Sequence, residues 1–436
     1  MIARLDSDSP LFDSALKSLG EFPEQDRIQI RASVTAILED VRVRGDEALV
    51  ELTNRFDGQS ASNMAALSIG QDQLLEAYES IDDLVRDALI ESADRVREYH
   101  EHQKSSIGSG DGWRYTDSMG NQLGQSIRPM SRVGIYAPGG KASYPSTVIM
   151  TAIPAQVAGV KEMVLCVPTP GGELNPVLLA AAHLCGIDHV FALGGAQAIA
   201  AMAFGTEAVP KVDKIVGPGN IYVATAKEMV FGKVGIDMIA GPSEVLIVAD
   251  DSADPSWVVQ DMFAQAEHDE MAQAIVISPS EKLLEAIAQQ LPIKLAQQKR
   301  QPIIAEAISS RGALIKVKDL NEAFEIVNKI APEHLQLAIH APEGWLPSVQ
   351  HAGAIFLGVD TAEVVGDYTA GPSHVLPTSG TARFASPLGV YDFQTRSSII
   401  QCSREGAIKL SRAAAILASE EGLYAHAESA LARLKG

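Results

Sequence analysis

One predicted helix carries three polar side chains that could bind a metal ion. The stretch PSWVVQDMFAQAEHDE follows Asp254, a suitable helix cap, and opens with Pro255, which favours a helix start. At about 3.6 residues per turn, Asp261, Gln265 and His268 share one face, and the three-residue step lets Gln265 and His268 reach one ion. A solvated polar face is the alternative interpretation, because glutamine is an unusual metal ligand.

Three other segments pair a carboxylate with an imidazole. They are IAPEHLQLAI with Glu333 and His334, VVGDYTAGPSH with Asp367 and His374, and EGLYAHAE with Glu421 and His426. The ordinary pKa values of these groups are about 4.3 and about 6.5, so the carboxylate can stay ionised while the imidazole takes and returns protons. General acid–base catalysis is one interpretation, and hydrogen-bonded structural histidines are the other.

Two glycine-rich turns could bind a nucleotide. LGGAQAIA follows the predicted strand HVFA, and VGPGNIYVATAK follows a predicted strand at residues 214–216. Glycines let a ligand approach the backbone closely, and a helix beginning just beyond favours a pyrophosphate. Neither turn matches GxGxxG, so plain tight turns explain the pattern equally well.

The elements that must position these groups alternate between strand and helix. Short apolar runs (VGIYA, EMVLCV, HVFA and KIV) are separated by glycine-rich loops and helical stretches, and a second cycle follows with VLIVAD, AIVIS and ALIKV. This alternation predicts two α/β units with parallel sheets covered by helices. Residues 1 to about 127 are mainly helical in rhythm, and residues 107–129 predict a linker or hairpin. The chain ends in two predicted helices parted by Gly422, which we expect to need a partner subunit to pack on.

Composition excludes several classes of partner. The 436 residues contain 35 basic and 55 acidic side chains, a net charge of −20 that would repel nucleic acid and anionic lipid. Cys166, Cys185 and Cys402 are odd in number and far apart, which fits neither a disulfide framework nor a cysteine-rich metal knuckle. With no signal-peptide pattern and no long apolar run, we expect a cytoplasmic protein.

Nine blocks of sequence, in order, resemble the signature segments of the histidinol dehydrogenase family. They are PGGKASYPSTVIM, GGAQAIAAMAFGT, GPGNIYVATAK, GIDMIAGPSEVLIVAD, QAEHD, APEHLQL, GDYTAGPSHVLPT, SPLGVYDFQTRSS and EGLYAHA. The resemblance covers residues 128 to 430 approximately. It implies a four-electron, NAD-linked oxidation of L-histidinol through L-histidinal to L-histidine, at a Zn²⁺ ion that holds the substrate without changing its redox state.

The resemblance also implies a role for particular residues. The zinc ligands would be Gln265, His268, Asp367 and His426. The acid–base pair would be Glu333 and His334, and the NAD site would include Tyr136, Gln197 and Asn220. The substrate would contact the zinc ligands, His334, Ser243, His374 and Glu421.

The fold implied by the resemblance is two incomplete Rossmann-like domains. They would be accompanied by a helical N-terminal region and a helical C-terminal tail swapped across a homodimer, so that Glu421 and His426 come from the other subunit. The expected division is a helical segment over 1–26, a discontinuous zinc-side domain over 27–128 plus 244–387, an NAD-side domain over 129–243 and a dimerisation tail over 388–436.

Three further points follow from the residues of these blocks. No cysteine lies in the histidine and carboxylate blocks, which argues for a hydrated aldehyde, with Glu333 activating water, instead of a thiohemiacetal. Ser373 and Thr395 depart from the family pattern, which commonly has Asn and Lys there. The alternative functions are a related dehydrogenase of a sulfonated dihydroxypropane, a zinc hydrolase that would leave the two glycine-rich turns unexplained, and a catalytically silent binding protein.

Overall fold

A computed structural model describes residues 2–20, 25–106, 112–139 and 143–434 of the chain. Within these ranges the strands are β1 (Ala3–Asp6), β2 (Ser68–Ile69), β3 (Gly112–Thr116), β4 (Gln122–Pro129), β5 (Arg132–Tyr136), β6 (Glu162–Cys166), β7 (His189–Phe191), β8 (Lys214–Val216), β9 (Gly235–Ile236), β10 (Glu244–Ala249), β11 (Gln273–Ser278), β12 (Ala313–Lys316), β13 (His334–Ala338), β14 (Ala354–Leu357) and β15 (Gln394–Gln401). The helices are α1 (Phe12–Gly20), α2 (Gln25–Arg44), α3 (Asp46–Asp57), α4 (Gln71–Ser80), α5 (Asp83–Ser106), α6 (Pro145–Ala158), α7 (Pro176–Leu184), α8 (Gly195–Phe204), α9 (Ile221–Val230), α10 (Pro255–Ala266), α11 (Glu281–Leu295), α12 (Gln301–Arg311), α13 (Leu320–Ile330), α14 (Glu363–Tyr368), α15 (Arg404–Glu420) and α16 (Tyr424–Ala432).

The first sheet is wholly parallel and has the order β1-β12-β11-β10-β13-β14. Its central strands are buried throughout, because helices cover both faces: α10, α11 and α12 on one side, α1 and α13 on the other. This sheet therefore confirms one of the two predicted α/β units. The prediction of a helical start was wrong for Ala3–Asp6, since this segment pairs with β12 and extends the sheet by one edge strand.

The second sheet has the order β2-β7-β6-β5-β8-β9 and is parallel except where β2 pairs with β7. Its first three parallel strands run outward from the centre as β5, β6 and β7, and β8 lies on the other side of β5. This is the order of a doubly wound sheet, in which ligands bind at the carboxyl ends of the strands where the order reverses.

Helices α2 to α5 share one apolar core with this second sheet and with helices α6 to α9. Sequence periodicity identified a buried face on these helices, but periodicity carries no information about which sheet that face covers. The expected division grouped residues 27–128 with 244–387. From the shared core we propose instead that the helices between Gln25 and Ser106 belong structurally with residues 129–243.

A small antiparallel sheet of order β15-β4-β3 lies outside the two parallel sheets. Strands β3 and β4 form the hairpin that the sequence suggested for residues 107–129, of which 107–111 lie outside the described residues. Strand β15 leads into the two C-terminal helices, which are parted at Gly422 with a φ of +73°. In the part of the chain that the structure describes, no helix combines the length and the apolar character needed to cross a bilayer.

Candidate active site

Glu333 and His334 lie at the start of β13 and are both held by the backbone of Glu244, the first residue of β10. The Glu244 N–H donates to Glu333 Oε2 at 2.8 Å, and the Glu244 carbonyl accepts a hydrogen bond from His334 Nδ1 at 2.9 Å. Parallel pairing of β10 with β13 sets Val245 opposite His334, which brings both groups to the backbone of Glu244. Because Nδ1 carries its hydrogen to a carbonyl, the neutral imidazole has its lone pair on Nε2.

Helix α14 places one carboxylate near each nitrogen of this imidazole. Asp367 Oδ1 is 3.8 Å from His334 Nε2, and Glu363 Oε1 is 3.5 Å from His334 Nδ1. The two carboxylates lie four residues apart and therefore on one face of the helix. Glu363 was missed from the sequence, although its four-residue spacing from Asp367 was a usable signal.

The burial of these charged groups perturbs their pKa values strongly. Burial raises the pKa of Glu333 to about 8 against the attraction of His334, and it does the same for Glu363. Burial opposes the charging of His334, but Glu363, Glu333 and Asp367 outweigh it and raise the pKa of the imidazole. A carboxyl group whose pKa lies near neutral pH, as that of Glu333 does, can both accept and release a proton, which suits general acid–base catalysis.

Helix α10 begins as predicted, with Asp254 accepting from the Ser256 N–H, but it ends at Ala266, before His268, which the sequence had placed on its polar face. Gln265 is 1% exposed, and neither its Oε1 nor its Nε2 has a hydrogen-bond partner. His268 lies just beyond the helix end and stacks on the ring of Tyr144 at 6.3 Å between centroids. Burial lowers the pKa of His268, and the charge of Asp367 opposes that shift, so the imidazole and the carboxylate are electrostatic neighbours.

Two further residues of the predicted set differ in how they are held. His374 Nδ1 bonds the backbone carbonyl of Asp367 at 3.0 Å, and its Nε2 is 3.3 Å from Thr147 Oγ1 on α6. The preceding Ser373 donates to the Met150 carbonyl at 3.1 Å, so this departure from the family pattern is satisfied in the packing. Asp261, predicted to share the face of Gln265, accepts from Gln336 Nε2 at 2.8 Å and ties α10 to β13.

The described residues contain no group of three or more histidine, cysteine or acidic side chains that could hold a metal ion. Gln265, His268 and Asp367 are the predicted ligands that lie in this region, whereas His426 is exposed on α16, and Glu421 is exposed just before that helix. The chemistry of the donors nevertheless fits Zn²⁺, because imidazole and carboxylate are its common ligands and the buried Gln265 amide has no other partner. Ser243 lies immediately before β10, and its backbone carbonyl accepts from the Gln273 N–H at 2.9 Å.

The three residues expected to bind NAD lie at the carboxyl edge of the second sheet. Tyr136 ends β5, and its hydroxyl accepts from the Gly195 N–H at 3.1 Å. Gln197 is buried in the first turn of α8, and Asn220 caps α9 through the Tyr222 and Val223 N–H groups. They lie at the strand ends where a doubly wound sheet binds a dinucleotide.

A buried ion pair that was not predicted supports the GPGN turn. Lys227 Nζ contacts Asp237 Oδ1 and donates to the Gly217 carbonyl at 2.8 Å, while Asp237 Oδ2 accepts from the Gly217 N–H at 2.7 Å. Gly217 has a φ of +106°, and a Cβ there would lie 2.1 Å from the Tyr136 carbonyl oxygen. The turn therefore requires glycine at position 217. The sequence pattern GPGN alone did not reveal this requirement or the ion pair that supports the turn.

The cysteines take no part in this region. Cys166 and Cys185 are buried, and burial raises the pKa of both thiols, that of Cys185 to about 12. Cys402 is exposed and follows β15 in the outer sheet. A buried, protonated thiol is a poor nucleophile, which agrees with an oxygen nucleophile for the aldehyde step.

Comparison with known proteins identifies the family. The sequence profile of histidinol dehydrogenase matches residues 21–434. Histidinol dehydrogenases of Pseudomonas savastanoi pv. phaseolicola and Pseudomonas aeruginosa are each 55% identical over 433 residues, covering 99% of this chain and 96% and 97% of theirs. The chain belongs to the histidinol dehydrogenase family. The crystal structure of a histidinol dehydrogenase from Elizabethkingia anophelis agrees, with a TM-score of 0.92, 34% identity, and coverage of 100% of this chain and 98% of that one. The family name makes the protein an oxidoreductase, and the resemblance stated from the nine blocks is confirmed.

Because the Gln265 amide has no hydrogen-bond partner, we expect its removal to preserve or raise stability and to weaken metal binding. Replacing it in Gln265→Met keeps the volume and removes a buried polar group that costs about 1–3 kcal/mol. We expect the metal-free variant to unfold at a temperature at least equal to that of the parent protein and to retain less zinc after dialysis. Thermal unfolding with a chelator present and atomic absorption measure the two effects.

Gln273→Met is the matched control, because the Gln273 amide donates to the Leu19 carbonyl at 2.9 Å. It should lower the unfolding temperature and leave the zinc content unchanged. A Gln265→Met variant that is as unstable as Gln273→Met, with its zinc retained, would contradict the assignment of the Gln265 amide to a ligand.

Proposed function

We propose that this histidinol dehydrogenase oxidises L-histidinol through L-histidinal to L-histidine, with NAD as oxidant and Zn²⁺ as the resident ion. The observation that carries the proposal is the Glu333–His334 pair, held by the backbone N–H and carbonyl of Glu244 with His334 Nε2 directed toward Asp367. The GGAQ and GPGN turns at the neighbouring sheet edge supply the place for NAD, which a zinc hydrolase would leave unused. The cytoplasmic location stays a prediction from the sequence.

Gln265, His268 and Asp367 would hold the ion, and when bound it would anchor the amine and imidazole of the substrate and orient the carbinol carbon. In the first oxidation His334 Nε2 takes the hydroxyl proton, while the carbinol carbon gives its hydride to the nicotinamide. In the second, the Glu333 carboxylate takes a proton from water as that water adds to the aldehyde carbon. His334 releases the first proton to solvent and a second NAD replaces the NADH, after which His334 takes a proton from the hydrate as its carbon gives the second hydride to the nicotinamide. The Glu244 backbone keeps both groups in place throughout.

The overall activity is tested by following NADH formation with L-histidinol. We expect two NADH per histidinol consumed, loss of activity after treatment with a zinc chelator, and recovery when Zn²⁺ is returned. NADH from the sulfonated dihydroxypropane but not from histidinol would assign the protein to the related branch. Activity untouched by complete zinc removal, confirmed by atomic absorption, would exclude the zinc role.

Glu333→Gln separates the two half-reactions. The amide keeps an oxygen for the Glu244 N–H but cannot accept a proton from water, so we expect aldehyde oxidation to fall about 100-fold or more and alcohol oxidation far less. Single-turnover rates measured from histidinol and from histidinal make the comparison. Equal losses in the two half-reactions would remove the water-activating role from Glu333.

We also propose that the C-terminal helices complete the site of a second copy. Helix α15 packs chiefly on α16, and the two helices leave large apolar side chains in solvent: Leu410, Ile416, Leu417, Leu423, Tyr424 and Leu431. A monomer rarely exposes an apolar surface of this kind, whereas a swapped tail buries it. The same tail carries Glu421 and His426, both of which are exposed in this chain.

The swapped tail predicts complementation between two inactive variants. In a heterodimer of His268→Ala and His426→Ala subunits, one site carries both substitutions and the other carries neither. After complete subunit exchange about a quarter of the wild-type sites should therefore return. A mixture of His268→Ala with Gln265→Ala should recover nothing, because both substitutions lie in the body of the subunit. Failure of the first mixture after verified exchange would place His426 in its own chain's site.

A further inference from the structure

Asp57 is an acidic residue whose position disfavours its charge. It is the last residue of α3, where the negative end of the helix dipole repels a carboxylate. Its Oδ2 atom is buried and has no hydrogen-bond partner, and burial raises the pKa of the carboxyl group. A carboxylate with one buried, unpartnered oxygen costs stability, so folding does not explain why an acid stands here.

The Asp57 carboxylate faces the carboxyl edge of the second sheet. A Cβ built on Gly194, in the GGAQ turn after β7, would lie 3.2 Å from Asp57 Oδ2 and 2.5 Å from Cβ of Pro168, in the loop after β6. The charge of Asp57 also reaches Tyr136 at the end of β5, where it adds to burial in raising the pKa of the phenol. Asp57 therefore lies over the ends of adjacent parallel strands, where a doubly wound sheet binds its ligand.

A hydrogen bond nearby fastens this part of the chain to the sheet. Gln59 Nε2 donates to Thr169 Oγ1 at 2.6 Å, in the loop that follows β6. The connection from α3 is thus tied to the end of β6 two residues after Asp57, so the carboxylate is held at this edge by the fold.

The ligand group follows from the position of the acid along the sheet. In a dinucleotide-binding sheet, an acid at the end of the second parallel strand accepts from the ribose hydroxyls of the adenosine half and repels a 2′-phosphate. Here β6 is that second strand, and the residues directly after it, VPTPGG, contain no acid. Asp57 supplies a carboxylate at this place from a different part of the chain.

We propose that Asp57 binds the ribose hydroxyls of the adenosine half of NAD and selects NAD over NADP. This inference rests on the proposed use of NAD, and it adds a residue from the N-terminal helices to the site formed by Tyr136, Gln197 and Asn220. The carboxylate is a specificity-determining group, and it touches neither the substrate nor the acid–base pair.

The test compares Asp57→Asn with the parent protein. The amide keeps the size but loses the charge, so we expect the KM for NAD to rise about tenfold and the preference for NAD over NADP to fall by at least about tenfold. The kcat and the KM for histidinol should stay unchanged, and the unfolding temperature should stay equal or rise. Glu47→Gln, at the exposed start of the same helix, is the matched control and should change none of these values.

Two results would overturn the proposal. One is a KM for NAD and an NAD-to-NADP preference that both stay within about twofold of the parent values. The other is an equal loss with both cofactors together with a lower unfolding temperature, which would make Asp57 a structural residue.

If the parent protein reduces neither cofactor, the proposed function fails by itself. Calorimetric titration of NAD and NADP into the parent and Asp57→Asn proteins then decides the role of Asp57, with the same two criteria applied to Kd.

Discussion

The backbone of Glu244, at the start of β10, is the constraint on which the proposed chemistry depends. A single residue, Glu244, donates its N–H to the Glu333 carboxylate and accepts at its carbonyl from His334. Because β10 lies at the centre of a parallel sheet with helices on both faces, the backbone of Glu244 has little freedom to move. The two groups expected to exchange protons are therefore held by backbone atoms, whose positions the sheet itself determines, and they need no flexible side-chain support.

Around this pair the protein buries more charge than stability favours. Glu333, Glu363 and Asp367 surround one imidazole, and the buried Gln265 amide on α10 has no hydrogen-bond partner. Burying these charged and unpartnered groups lowers the free energy of unfolding. A bound ligand or a proton transfer that needs the groups explains why they are kept. At the second sheet, the buried Oδ2 atom of Asp57 likewise has no hydrogen-bond partner and would gain one from a bound ligand. Both sites combine local instability with groups positioned for a ligand.

The two α/β units are joined by a few polar contacts where they meet. His374, which is bonded to the Asp367 backbone, lies 3.3 Å from Thr147 on α6, and Ser373 donates to Met150 on the same helix. Helix α6 starts close to the end of β5, where the cofactor is expected to bind. A substrate at the first sheet and a nicotinamide at the second would therefore meet across this border, as hydride transfer requires.

Much of the fold could be predicted from the sequence, because its strands and helices have distinct periods. The apolar runs of β5 to β8 and of β10 to β12 and the start of α10 at Asp254 and Pro255 are local signals, and the structure confirms them. Local signals failed where pairing is decided at a distance. Strand β1 pairs with β12 more than 300 positions along the chain. Helices α2 to α5 pack on the helices that flank the second sheet, although nothing in their pattern specifies that partner.

The candidate site divides in the same way. The residue types of the PEH, GDY and QAEHD blocks and their resemblance to one family were properties of the sequence alone, and they were enough to name the chemistry. Only the tertiary structure decided that Glu244 would hold the acid–base pair, that Glu363 would join it and that Asp57 would reach the edge of the second sheet. The physical reason is that hydrogen bonds and burial join residues distant in sequence, and their partners are known only once the chain has folded.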